Sequence, residues 1–458
     1  MSGSVGTISL ITKTGEFERK YFLNNPDITF FKSVYRKHTN FSKYFKIESL
    51  APENSTDLQK TYKIQTGSED LLAKIYLENK ITIKNNNPDV ANLEIFANLG
   101  SNFIEDNDNE ALSITIGHNR YLFKSYGLFQ EVKGELLNQM SLTFDSGSGT
   151  HAPELECNAS GIISCKSGSH YNYTTLSGGV RGTTIPKSSF TSDINNTIQT
   201  EYFYTIPEFS FMKDYGLALP LLCMRNDSIQ FNVKFKPKEK LIKSSTGDST
   251  DFDLTYESNI IQELIQLDND EKSRFLTSQL NYLTESITRI DVSSKTQDVK
   301  SGFKLCKYIL MVGKPNEDDS QFSSSNSLTT PSELKLKTFN INIGGNPLYP
   351  GVVKLNSEIF TKMNINKYFP GCGRDLNAGI NTSENHGQLD SIAMVPFSIE
   401  PLNYTQPSGC ISNQGQIGFI KLDIDTKIST DNDPEIILYA INYNILQIAD
   451  GKTQIQYH

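Results

Sequence analysis

The chain has 458 residues and a mass of 51.3 kDa, enough for two to four ordinary domains of roughly 100–200 residues each. It carries 43 Lys and Arg against 52 Asp and Glu, a formal net charge of −9, which argues against a polyanion binder with a basic face. Mean hydropathy is −0.39, and no apolar run reaches the roughly 18 residues that a membrane-spanning helix needs.

The first residues, Met1-Ser2-Gly3-Ser4-Val5-Gly6-Thr7, lack the charged-then-apolar layout of a signal peptide, so export by that route is not expected. Residues 1–25 read as an N-terminal arm, with Ile8, Leu10, Ile11 and Phe17 as its apolar points. Beyond it, alternation with period two dominates. Ile75, Leu77, Ile81 and Ile83 fall on one face of a predicted strand, and Leu112–Ile116 alternates in the same way. Asp145–Ile185 is rich in Ser, Gly, Thr and Asn and reads as a long surface loop. Ile229–Phe235 is the cleanest predicted strand. The stretch Lys236–Asp253 that follows is charged, then Ser/Thr-rich, and reads as a linker between two halves.

Ile260, Ile261, Leu264 and Ile265 have helical spacing, yet the segment is also short enough for a strand. Asp268–Phe275 has the capping residue and acidic first turn of a helix start. Tyr308–Val312 is a continuous apolar run, as expected of a strand covered on both faces. Leu334–Leu336 alternates and changes phase at Thr338-Phe339 before Ile341 and Ile343, the mark of a β-bulge. Ile420–Ile424 and Tyr439–Ile445 complete the set. Many short strands, few helices and long polar connections predict an all-β chain of sandwiches or jelly rolls.

No motif carries chemistry. His-Glu-x-x-His, the phosphate-binding loop and the Gly-x-Ser-x-Gly elbow are absent from the sequence, and Gly178–Gly182 has neither a strand–helix frame nor a lysine. None of the six cysteines forms a Cys-x-x-Cys pair; they read as reduced thiols, with a Cys157–Cys165 bridge as the alternative. His151 and His170 share a loop with those two cysteines, and a solvated loop competes there with a metal site. Accordingly no catalytic residue, cofactor or metal is assigned. Asn-x-Ser/Thr sequences, at Asn40 and Asn54 among others, do not imply glycosylation without a signal peptide.

One segment is highly distinctive: Asn24-Asn25-Pro26-Asp27-Ile28-Thr29-Phe30-Phe31-Lys32-Ser33-Val34-Tyr35-Arg36-Lys37-His38-Thr39-Asn40-Phe41. It resembles the N-terminal signature of the major capsid proteins of nucleocytoplasmic large DNA viruses. Gly216–Leu222 with the strand to Phe235, Pro396-Phe397-Ser398 with Gln406-Pro407-Ser408-Gly409, and Tyr439–Leu446 resemble later elements of that family in the right order.

The resemblance implies two consecutive eight-stranded jelly rolls, here 26–238 and 254–458 about a linker at 239–253. It implies a homotrimeric, pseudo-hexagonal capsomer in an icosahedral virion shell, with the protein made in the host cytoplasm. Its implied partners are neighbouring capsomers, minor capsid proteins and the internal viral membrane, with no direct nucleic acid. The polar loop 145–185 would then lie on the outer surface. Phe30, Phe31, Lys32, Tyr35, Arg36 and Lys37, three aromatics beside a basic cluster in an acidic chain, read either as core or base packing with solvated charges or as an assembly interface facing acidic partners or lipid headgroups. A β-sandwich glycan-binding or attachment protein, and a capsid paralogue of minor abundance, are the alternatives.

Overall fold

A computed structural model describes, with short gaps, residues 29–49, 58–125 and 207–314, the segments 338–348, 367–368, 392–412, 420–425 and 435–456, and isolated stretches of 129–205. The chain divides into Met1–Asn40 and Phe41–His458. In the first unit, the described residues from Thr29 onward are coil around a turn at Phe30–Lys32.

The second unit opens with β1 (Phe41–Ser49), β2 (Gln59–Ile64), β3 (Leu71–Asn85), β4 (Asn92–Ile95), β5 (Leu112–Ile116) and β6 (Tyr121–Ser125). There follow β7 (Met140–Asp145), β8 (Leu155–Cys157), β9 (Ile163–Cys165), β10 (His170–Thr175), β11 (Thr184–Pro186), β12 (Thr197–Thr205), β13 (Ile229–Lys234), β14 (Ile242–Ser244) and β15 (Phe252–Leu267). After helix α1 (Asn269–Thr277) come β16 (Leu280–Val292), β17 (Thr296–Asp298), β18 (Leu305–Lys314), β19 (Thr338–Ile343), β20 (Asn346–Pro347), β21 (Ile392–Pro396), β22 (Ile411–Ser412), β23 (Ile420–Asp425), β24 (Glu435–Ala449) and β25 (Lys452–Ile455).

Two sandwiches result. In the first, the sheet β1-β15-β3-β12, extended by β9 and β8, faces β2-β13-β5-β6; in the second, β16-β24-β18-β21 faces β17-β23-β19-β20. Taking the eight principal strands of each lobe in chain order, both lobes read 1-8-3-6 in one sheet and 2-7-4-5 in the other. This is the same jelly-roll winding twice, with antiparallel pairing throughout both four-strand paths.

Period-two burial follows the sequence. Along β3 the odd residues from Ile75 to Ile83 are buried while their neighbours are half-exposed. Asn79 shares that inner face, and Ser258 of β15 satisfies it by donating its hydroxyl to Asn79 Oδ1 at 2.9 Å. The helix starts as expected: Asp268 Oδ1 accepts the Glu271 amide at 2.8 Å, and Asp270 and Glu271 fill the first turn.

The strand pairing departs from the expected boundaries. Residues 239–253 include β14, which pairs with β4, and the first residues of β15. Residues 254–267, expected in the second jelly roll, lie in the middle of the first lobe's sheet, between β1 and β3. The sequence misleads here because the pairing of β15 with β3 slips by one residue between Glu263 and Leu264. The slip buries Leu264 and Ile265 together, so a strand acquires helix-like spacing.

The polar stretch 145–185 likewise contains β8 to β11, and β7 pairs with β10 in a separate two-stranded sheet. The β8–β9 register sets Cys157 opposite Ile163 and Cys165 opposite Leu155, two positions out of step with each other. The phase change expected at Thr338-Phe339 is relative to Leu334–Leu336, which lie outside the described residues; the sequence of β19 itself alternates.

Three apolar clusters hold the unit together. The first lobe's core also takes in Leu446, Ile448 and Ile455 of the second lobe's last hairpin. The second lobe has two clusters, one on each face of β18: Ile309 and Met311 point into its own sandwich, and Tyr308, Leu310 and Val312 into the other cluster. That outer cluster contains Phe129, from the segment after β6, edge-on to Tyr439 at 5.3 Å. The apolar run is therefore covered on both faces because the first lobe supplies one of the covers.

Candidate assembly surface

The two lobes meet at a buried ionic seam. Lys213 lies in the 209–228 segment that leads to β13, Glu285 on β16 and Lys307 at the head of the apolar run of β18. Glu285 accepts from Lys213 Nζ at 2.7 Å and also binds the fully buried Lys307 ammonium. Two lysines on one carboxylate leave an excess positive charge. It is met by ring faces and a carbonyl: Tyr404 lies 4.2 Å from Lys213 Nζ and 5.1 Å from Lys307 Nζ, Tyr443 lies 5.0 Å from Lys307 Nζ, and the Asn403 carbonyl accepts from Lys307 at 3.3 Å.

Burial alone would raise the Glu285 carboxyl; the Lys213 and Lys307 charges overcome it and hold the group down to about 2. Burial pulls the Lys307 ammonium below its ordinary value, with Glu285 opposing. Beside the seam, between Phe123, Phe129 and Phe209 of the first lobe and Tyr308 and Ile441 of the second, lies a small cavity lined also by the buried Ser210.

At another point of the lobe contact the first lobe grips the turn between β24 and β25. Asp227 Oδ2 accepts from the Thr453 amide at 2.9 Å and from its hydroxyl at 2.8 Å, and the Asn226 amide donates to Gly451 O at 3.3 Å. Gly451 has φ +76°, and a Cβ there would lie 2.7 Å from Asn226 Nδ2, so only glycine fits.

Sequence reasoning missed this seam. A lysine at the start of an apolar run reads as a solvated flank, and nothing local announces that its partners lie on other strands. The expected interface residues lie in the first unit. Phe30, Phe31 and Tyr35 are 90%, 98% and 89% exposed, and Lys32 and Lys37 are exposed with them; Arg36 lies outside the described residues. Three aromatics this bare in one short stretch are uncommon unless something covers them. In the second unit, β1 exposes Phe41, Phe45 and Ile47, and the loop after β21 exposes Ile399. Among the described residues no group of three or more His, Cys, Asp or Glu side chains is placed to hold a metal.

Relatives place this architecture. The chain is 24% identical over 444 residues to the major capsid protein of Pyramimonas orientalis virus, covering 95% of this chain and 96% of that one. A quasi-atomic structure of the PBCV-1 virus capsid superposes with a TM-score of 0.62 at 15% identity, covering 94% of this chain and all of that one. The Faustovirus major capsid protein superposes at 0.58 with 10% identity over 97% of each chain, so the fold is shared well beyond recognisable sequence. The family model described as the N-terminus of the major capsid protein matches residues 29–263, from within the aromatic-basic stretch to the middle of β15. By that match, with the jelly roll wound twice in one chain, the protein belongs to the major capsid protein family of large DNA viruses.

Proposed function

We propose that this protein is the tile of an icosahedral virion shell, three copies closing into a pseudo-hexagonal capsomer. The observation that carries this reading is the identical strand order of two lobes locked in one chain by a buried seam. Three such chains present six similar lobes around a threefold axis. One protein can then pack on a near-hexagonal lattice, with closed symmetry inside the capsomer and heterologous contacts between capsomers. The role read here is structural: the matched relatives are capsid proteins, and the seam's charged groups are spent on one another. Purified protein should run at three times 51.3 kDa in native mass spectrometry. A chain that stays monomeric at micromolar concentration sinks the reading.

The aromatic-basic stretch Phe30–Lys37 is read as a contact made after the capsomer has formed, with minor capsid proteins or the internal membrane beneath the shell. Its support is the near-complete exposure of Phe30, Phe31 and Tyr35 beside lysines in a chain of net charge −9. Arg36→Glu with Lys37→Glu should leave the capsomer mass and melting temperature unchanged while particle yield falls at least about tenfold. Unchanged yield removes this role from the stretch.

A further inference from the structure

Within one chain, the segment leaving the sixth strand of the first lobe, 209–228, lies against the opening strand of the second. Lys213 meets Glu285 on β16, and Cys223 Sγ donates to the Phe275 carbonyl just ahead of that strand. The two lobes wind identically, so each contact element has a counterpart. The counterpart of the 209–228 segment is 397–410, which leaves β21, the sixth strand of the second lobe; the counterpart of β16 is β1. In a ring where first and second lobes alternate, the lobe contact made once inside each chain must be made again between chains.

We propose that the loop 397–410 of one copy docks on β1 of the next, and that this is the contact that closes the capsomer; the inference rests on the trimeric reading above. What is left exposed supports it. Among the described residues of the second unit, six large apolar side chains remain exposed, and four of them lie on these two elements: Phe41, Phe45 and Ile47 on β1 at 52%, 63% and 63%, and Ile399 on the loop at 78%. Among the described residues β1 is an edge strand whose one pairing is with β15, so a partner also meets a backbone edge there.

The loop arrives preformed. Ser408 Oγ accepts from the Glu400 amide at 2.9 Å and donates to the Glu400 carbonyl at 3.1 Å, and Asn403 Oδ1 accepts from the Thr405 and Gln406 amides at 3.1 Å each. Little ordering is then left to do when Ile399 is covered. One charge pair is also to hand: Glu400 is exposed next to Ile399, and Lys43, on the same face of β1 as Phe41, Phe45 and Ile47, is half-exposed while paired with Glu263. The seam inside the chain uses the opposite assignment, a lysine on the loop and a glutamate on the strand.

Two measurements test the contact. Ile399→Asp, and separately Phe45→Asp with Ile47→Asp, should each raise the concentration at which the trimer dissociates by at least about tenfold, with the melting temperature of the dissociated chain unchanged. Wild-type protein with a benzoylphenylalanine photo-crosslinker in place of Ile399 should yield chain-to-chain adducts whose linked peptide spans residues 41–49. This readout does not depend on whether the aspartate variants fold. A trimeric wild type whose variants dissociate normally, or an adduct to any other peptide, overturns the contact and leaves the trimer standing. A wild type that never trimerises overturns both.

Discussion

The third strands of the two lobes differ sharply. On β3 one face is buried and the other half-exposed, whereas all five residues from Tyr308 to Val312 of β18 are fully buried. Strand order and pairing are the same, so the winding does not make the difference. The second lobe leans this face against the first, which sends Phe129 into its outer cluster and Lys213 to its Glu285. Equivalent strands in a repeated fold thus carry different sequences because one copy of the fold is also a partner for the other. The ionic seam belongs to that asymmetry: a buried charge cluster adds little net stability over an apolar filling, but it tolerates few alternative geometries.

Glu285→Ala should erase this difference most strongly. It leaves two ammonium groups facing each other out of water, at a cost of about 3–5 kcal/mol. A denaturant midpoint unchanged from wild type would mean the seam is solvated in solution. Acid should act on the same group more gently. The Glu285 carboxyl sits below its unfolded value, so its contribution is present above about pH 4.5 and is lost as the pH falls toward about 2. The loss amounts to roughly 3 kcal/mol over that window. Glu285→Gln should flatten this part of the stability–pH curve; an equally steep curve in the variant would assign the acid sensitivity elsewhere. The smallest effect is expected at the other lobe contact. Asp227→Ala removes the acceptor for both Thr453 donors and should cost about 1–2 kcal/mol in thermal unfolding, without changing the acid profile.

Much of the fold was legible because a half-buried strand writes its faces into the sequence: Ile75, Leu77, Ile81 and Ile83 needed no tertiary information, and neither did the Asp268 cap. The double burial of Tyr308–Val312 was legible as a fact, but its cause was not, since Phe129 stands far away in sequence. The boundary between the lobes was misread because β15 begins inside the charged, Ser/Thr-rich stretch taken for a linker, and a register slip further along the strand left helix and strand both open at Ile260–Ile265. The seam was hidden for a related reason. Lys213, Glu285 and Lys307 are ordinary residues one at a time, and only the strand order gathers them. The aromatic-basic stretch stood out at once, because three aromatics crowded among basic residues break the alternation that half-buried strands write.

The last hairpin has a consequence for synthesis. Leu446, Ile448 and Ile455 belong to the core of the lobe whose strands leave the ribosome first. That core is complete only once translation has passed Ile455. A polypeptide released early lacks these side chains and leaves the apolar surface they cover open to chaperones and proteases.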